Sequence, residues 1–260
     1  MWSVFYYLNL KGDKGMNLVI LDSGHNEYVK GKCNGDFKEW DFNNKMQYKI
    51  KKRLENHGIE VFLTNPNPEK KDEIGLSKRS ALANDYWTKK GKPKAMFISL
   101  HGNAFDNSTA RGTETYHATN ASATSKTFAK TLNDEVVKTM QSLDKNAKNR
   151  GVKSQDFTVI YKASMPSVLV EYGFYSNPED LKILKNNQDD LTEATVKAIC
   201  KYFNITYKAV QKETTSSSNT STGKQLYAVC IGAWEDKDVA NSKVNELKQK
   251  GYSDTYIIIR

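Results

Sequence analysis

The amino-acid sequence predicts an α/β fold, and three observations carry that prediction. Short apolar runs at 18–21, 95–100 and 167–170 are too brief for helices, sit between turn residues and read as buried strands. Segments repeating apolar residues every three to four positions lie between them, the helical period: Trp40, Phe42, Met46, Ile50 and Leu54, then Phe128, Leu132, Val136 and Met140. Each strand also runs into a residue able to do chemistry: His25 after Asp22-Ser23-Gly24, His101, and Glu171. The carboxyl ends of strands are where α/β sheets open their ligand crevice.

In chain order, residues 1–15 are apolar and aromatic and read as an edge strand or an upstream extension, with Met16 the effective start of the domain. A polar loop follows His25, and a helix begins near Glu39 and stops at His57-Gly58, where glycine suits the C-cap. Ile59 to Leu63 is the next strand. After the turn-rich Asn65-Pro66-Asn67-Pro68, Ser77 is the expected N-cap of a second helix. Beyond the His101 strand, Gly112 to Tyr116 reads as a strand, Ser125 to Leu143 as a long amphipathic helix, and Val159-Ile160 as a short strand before the one ending at Glu171. Ser176-Asn177-Pro178-Glu179-Asp180 is a strong helix start, with a capping side chain, proline in the first turn and acids facing the dipole. The last helix of this part runs to about Phe203. Residues 211–225 form a Ser/Thr-rich linker, and 226–260 read as a small β-α-β unit, leaving 1–210 as the main domain.

A chain of 260 residues with 38% hydrophobic content holds one large globular domain plus a small one. The net charge of +9 points to a polyanionic partner: nucleic acid, anionic lipid or an acidic wall polymer. From Gln225 onward five basic and five acidic residues cancel, so the excess lies on the main domain and linker. No nucleic-acid-binding motif is apparent, and no stretch reaches the length of a membrane span. Cys33, Cys200 and Cys230 are widely spaced and odd in number, which argues against a disulfide framework or a thiolate metal site. The first ten residues lack the basic n-region of a secretory signal, so the expectation is a chain made in the cytoplasm without an export route of its own.

Two imidazoles and a carboxylate (His25, His101 and Glu39) are the donor set of a catalytic zinc site, with the fourth position left to water. Glu171 has the character of a general base that passes a proton to a leaving amine. Each residue has a plainer reading as well. A lone strand-end histidine is more often a satisfied structural residue, Glu39 suits the first turn of a helix, and Glu171 could be a salt-bridged carboxylate. Convergence of three strand ends is what favours a site. His57 and His117 read as a helix-end and a strand-end histidine with no chemical role.

The segments LDSGH, Glu39 with Asn43, LSKRSALAN, SLHGNA, GTETY and VLVEYGFYSN, in that order over residues 17–203, resemble the zinc-dependent N-acetylmuramoyl-L-alanine amidases of the type 3 family. That resemblance implies a mixed, twisted central sheet flanked by helices. It also implies an enzyme that cuts the amide between the lactyl group of N-acetylmuramic acid and L-alanine of the peptidoglycan stem. His25, Glu39 and His101 would then bind Zn2+, Glu171 would act as acid–base, and Asn103 would help order the site toward substrate. Ser23 and Asn26 depart from the family's usual proline and glycine. Residues 226–259 resemble half of a SPOR-type peptidoglycan-binding module, from which two copies are expected to pair in a homodimer and complete a sheet. The expected partner is peptidoglycan, reached after a holin or mother-cell lysis opens the membrane. The expected setting is a phage endolysin, with a sporulation autolysin or a non-catalytic wall-binding protein as the alternatives.

Overall fold

The computed structural model describes residues 17–66, 74–210 and 237–249. The chain separates into two units between residues 210 and 211. The first is built on a six-stranded sheet in the order β4-β1-β5-β8-β6-β7. Its strands are β1 (Leu18–Ser23), β4 (Glu60–Leu63), β5 (Ala95–Asn103), β6 (Thr113–His117), β7 (Asn149–Ser154) and β8 (Ser167–Phe174). Strands β4, β1, β5 and β8 are parallel, β6 is antiparallel to β8, and β7 is parallel to β6, which is the mixed sheet expected. A two-stranded ribbon, β2 (Cys33–Asn34) and β3 (Phe37–Lys38), interrupts the loop after His25.

Both faces of the central strands are covered, which is why these strands read as continuous apolar runs instead of alternating ones. Val19, Leu21, Met96, Ile98, Leu100, Val168 and Val170 face one way, onto α1 (Glu39–Glu55), α3 (Ala123–Leu143), α5 (Pro178–Asn186) and α6 (Gln188–Phe203). Leu18, Ile20, Phe97 and Leu169 face the other way, onto α2 (Leu76–Lys89) and the one-turn α4 (Thr158–Tyr161). Two helix starts carry the caps their sequences suggest. The Asn177 side chain accepts from the amides of Glu179 and Asp180, and Ser122 accepts from Ser125.

Three expectations need correction. Val159-Ile160 is helical: Ile160 N and Tyr161 N both donate to Phe157 O, and the two apolar side chains pack beside Ala83. Helix α2 starts at Leu76 behind Gly75, so Ser77 lies inside its first turn and caps nothing. The run beginning at Asn177 is two helices, broken at Asn187. In the second unit, α7 (Lys237–Gln249) is the described element. The linker, the flanking strands of the expected β-α-β unit, the pairing of two copies through it, Cys230 and residues 1–15 lie outside the described residues. Among the described residues no helix is long and apolar enough to cross a membrane.

Candidate active site

Strand pairing alone brings two of the expected residues together. His101 on β5 and Glu171 on β8 are register partners, and Glu114 on β6 is the partner of Glu171 on its other side. Residues paired in this way point to the same face, so a histidine and two carboxylates form a row across three neighbouring strands. The register between β5 and β8 shifts between His101 and Asn103, a bulge that ends the regular pairing at the site.

His25 joins the row from β1 through a turn with little conformational freedom. A Cβ on Gly24 would stand 2.1 Å from His101 Cε1, so only glycine lets the two histidines approach. His25 itself takes a left-handed backbone, φ 65, uncommon for a side-chain-bearing residue. That conformation is held from several directions. The Asn65 side-chain amide donates to His25 O (2.7 Å) and Ser23 O (2.9 Å), and the Asn43 amide donates to Gly24 O (3.1 Å). Asn26 then accepts from the amides of Tyr28 (2.9 Å) and Val29 (2.7 Å), so its carbonyl orders the turn in which it stands. Beneath the site, buried Asp22 accepts from Ser99 Oγ (2.8 Å) and Thr64 Oγ1 (2.6 Å), and Arg79 lies 3.7 Å away.

Glu39, the first residue of α1, reaches into this pair. Its Oε1 is 3.0 Å from His101 Nδ1 and its Oε2 is 3.4 Å from His25 Nε2. Tyr175 Oη donates to Oε2 at 3.2 Å. One donor atom from each of His25, Glu39 and His101 falls within 4.8 Å of the others. Ligands around a tetrahedral zinc, each about 2.1 Å from the ion, stand about 3.4 Å apart. The 3.4 Å separation between Glu39 and His25 is at that spacing, the 3.0 Å contact with His101 is that of a hydrogen bond, and two imidazole nitrogens with one carboxylate oxygen are a donor set that zinc accepts, so the residues fit the metal.

The electrostatics sort the two central carboxylates. Burial works against the charge on Glu39, but the His101 hydrogen bond, the two imidazoles and Tyr175 together outweigh it and hold the carboxyl below its ordinary range. Burial likewise opposes a charged His101, yet its hydrogen bond to Glu39 and the nearby Glu171, Glu39 and Asp22 carboxylates raise it. Glu171 is pushed up to about 8, first by burial and then by Glu39 and Glu114, with His101 pulling the other way. Its Oε2 is buried with no hydrogen-bond partner among the described residues. A carboxyl poised to hold or release a proton near neutrality therefore sits next to the three-donor cluster.

Asn103 is in place at the end of β5, where its amide donates to Glu114 Oε1 at 2.8 Å. His57 is satisfied by Arg53 O and Lys208 N, the plain helix-end role. Tyr175, Glu114, Gly24 and Gly31 belong to the site as well; the first three fall within segments that carry the family resemblance, but nothing in the sequence gives them a role there.

A mixed-sheet α/β domain with two imidazoles and two carboxylates gathered at the carboxyl edge of its central strands has the form of a hydrolase. Residues 19–201 match the family model described as N-acetylmuramoyl-L-alanine amidase (Amidase_3), and the chain belongs to that family. It is 29% identical over 213 residues to the endolysin of Bacillus phage SPP1, covering 80% of this chain and 73% of that protein. It is 24% identical over 246 residues to the sporulation-specific N-acetylmuramoyl-L-alanine amidase of Bacillus subtilis, covering 93% of this chain and 84% of the relative. Among solved structures, the catalytic domain of CwlV, the N-acetylmuramoyl-L-alanine amidase from Bacillus (Paenibacillus) polymyxa var. colistinus, superposes with a TM-score of 0.63 at 26% identity. That match covers 74% of this chain and 100% of the CwlV domain.

Proposed function

We propose that this chain is a zinc-dependent peptidoglycan amidase that separates the lactyl group of N-acetylmuramic acid from L-alanine of the stem peptide. His25, Glu39 and His101 hold the metal and Glu171 handles the proton. The observation that carries the reading is the approach of one donor atom from each of these three residues to within 4.8 Å at the carboxyl ends of the parallel strands β1 and β5. A bound zinc would polarise the scissile carbonyl and acidify water, the chemistry this metal supplies in hydrolases. Glu171, across the strand pair from His101, takes the proton of the attacking water and returns it to the departing alanine nitrogen. Glu39 stays charged as the carboxylate donor between the two imidazoles. Tyr175 fixes the second carboxylate oxygen from behind.

The net charge of +9 favours approach to an anionic wall. Likeness to the phage endolysin supports host lysis as the setting, and likeness to the sporulation-specific amidase across 93% of the chain supports mother-cell lysis by the same reaction. A wall-binding protein without activity is the weaker reading, because all four chemical positions are filled. The tail from 226 onward serves as the wall-binding element in the first two settings. Digestion of purified peptidoglycan, with and without chelator, tests the reading by mass spectrometry of the soluble products. Stem peptides beginning with L-alanine, lost on chelation and restored by zinc, are the expected outcome. Peptides with sugar still attached would mean that another bond is cut, and no release at all would leave only wall binding.

A further inference from the structure

Beside the row of His101, Glu171 and Glu114, the sheet edge at β7 opens into a cleft of about 540 Å³ lined by Arg111, Lys148, Arg150 and Lys153, with Thr109, Ala110 and Asn149 between them. Its lining holds four cationic side chains and no carboxylate. The charges are not all engaged in the same way. Arg111 is committed to Asp144 (2.6 Å) and to buried Asp180 (2.9 Å), and Lys153 pairs with Glu114. Arg150 spends only its Nε on Glu114, at 2.6 Å, and its terminal nitrogens make no hydrogen bond among the described residues. The guanidinium lies over the buried ring of Phe174, 4.8 Å from its centroid, which holds the planar fork in one orientation. Lys148 forms no ion pair among the described residues. A fixed, half-used guanidinium with a second cation nearby is an arrangement suited to a carboxylate held by two parallel hydrogen bonds.

We propose that this cleft is a subsite for a free carboxylate of the stem peptide, read chiefly by Arg150 with Lys148 in support; the proposal rests on the amidase reading above. Geometry favours it. Glu171 pairs with Glu114 on the next strand, and Glu114 pairs with Gly151 on the one after. With strands about 4.8 Å apart, the Arg150 strand lies about 10 Å from Glu171. The Arg150 guanidinium reaches back from that strand to Glu114, one strand from Glu171, and an extended peptide advancing about 3.4 Å per residue from an alanine nitrogen at Glu171 brings its second residue to it. The second residue of the stem is a glutamate joined through its side chain, and its α-carboxylate is free unless the wall amidates it. The polar link is continuous as well, since Glu114 accepts from Asn103, Arg150 and Lys153 together and ties the cleft to the end of β5.

The test uses two soluble muropeptides identical except for a carboxylate or a carboxamide on the second stem residue. Their binding to the full chain carrying Glu171→Gln, which prevents turnover, is measured by calorimetry with zinc present. The acid is expected to bind about tenfold more tightly than the amide, as a charge-assisted fork implies. Adding Arg150→Ala, or separately Lys148→Ala, should move that ratio toward one. Lys148 is exposed and forms no ion pair among the described residues, so its variant reports even if loss of Arg150 disturbs Glu114, and an exposed lysine elsewhere such as Lys130→Ala should leave the ratio intact. Equal binding of acid and amide, or a ratio unchanged in both cleft variants, would overturn the proposal. Displacement by inorganic phosphate combined with an acid-to-amide ratio of one would assign the cleft to phosphate-bearing wall polymers and overturn it too. Hydrolysis by the unsubstituted chain is scored separately: a binding preference without cleavage retains the carboxylate subsite and removes the amidase assignment.

Discussion

Replacing Gly31 by alanine tests the metal assignment without touching a ligand. Gly31 stands in the loop between His25 and Glu39 with φ +69, and a Cβ there would meet Glu39 Oε2 at 2.5 Å and His25 Cδ2 at 2.8 Å. The variant incurs two separable costs. A left-handed alanine is less stable than glycine by about 1–2 kcal/mol, which for a domain of this size lowers Tm by about 2–8 °C. The methyl group must also displace Glu39 or His25, and disturbing the support of ligands typically weakens a metal by about 10–100-fold. Gly35→Ala separates the two effects. It shares the backbone penalty, with φ +57, but a Cβ there meets nothing within 4 Å. Competition against a chromophoric zinc chelator should therefore show a loss of at least about tenfold for Gly31→Ala and unchanged affinity for Gly35→Ala, while both lose similar stability in chelator. Equal zinc affinity in Gly31→Ala and the unsubstituted chain would show that Glu39 and His25 do not hold the ion together. Equal losses in both variants would show that the loop backbone, and not contact with the ligands, controls the site.

Glu171→Gln should lower turnover by about 10²–10⁴-fold with stoichiometric zinc retained, whereas His101→Ala should lose zinc as well; metal analysis beside a wall-lysis assay separates the two. Asp180 is fully buried and accepts from Gly112 N (2.6 Å), Phe174 N (3.0 Å) and Arg111. Asp180→Ala is thus expected to cost about 3–5 kcal/mol in urea unfolding and Asp144→Ala, on the exposed side of Arg111, about 1 kcal/mol. Comparable losses would refute the distinction. Glu114 offers a pH test. Burial would raise its carboxyl, but bonds from Lys153, Arg150 and Tyr116 outweigh burial and hold it below its ordinary value. A depressed carboxyl stabilises the fold above its unfolded value and loses that contribution as pH falls through the folded one, so Tm should fall on acidification below about pH 4.5, and less steeply in Glu114→Gln.

Which parts of this site were legible in the sequence follows from how local their signals are. His25, His101 and Glu171 could be read because each terminates an apolar run, and a buried strand announces its own end. Glu39 could be read because it opens a helix with a clear period. The edge strand β7, Asn-Arg-Gly-Val-Lys-Ser, has no such signal: it is polar, largely exposed and joined to the sheet on one side. A reading from hydrophobicity passes over it, and with it goes Arg150. Val159-Ile160 fails in the opposite way. Two β-branched residues look like a strand, but a single turn suffices to bury both against α2, and packing outweighs propensity over so short a segment.

Tyr175 shows the further limit. Its hydroxyl reaches Glu39 across 136 residues of chain, and nothing near either residue encodes the meeting. The fold creates it, because the bulge at the end of β5 and the turn after β8 carry Tyr175 N onto Asn103 O (2.8 Å) and so swing the ring behind α1. The proposed ligands are thus written in local pattern, and the groups that hold and tune them in topology. The same division explains the cleft at β7. Its cations look like ordinary surface lysines and arginines until the strand order sets them two strands from Glu171, within reach of a peptide whose first nitrogen lies there.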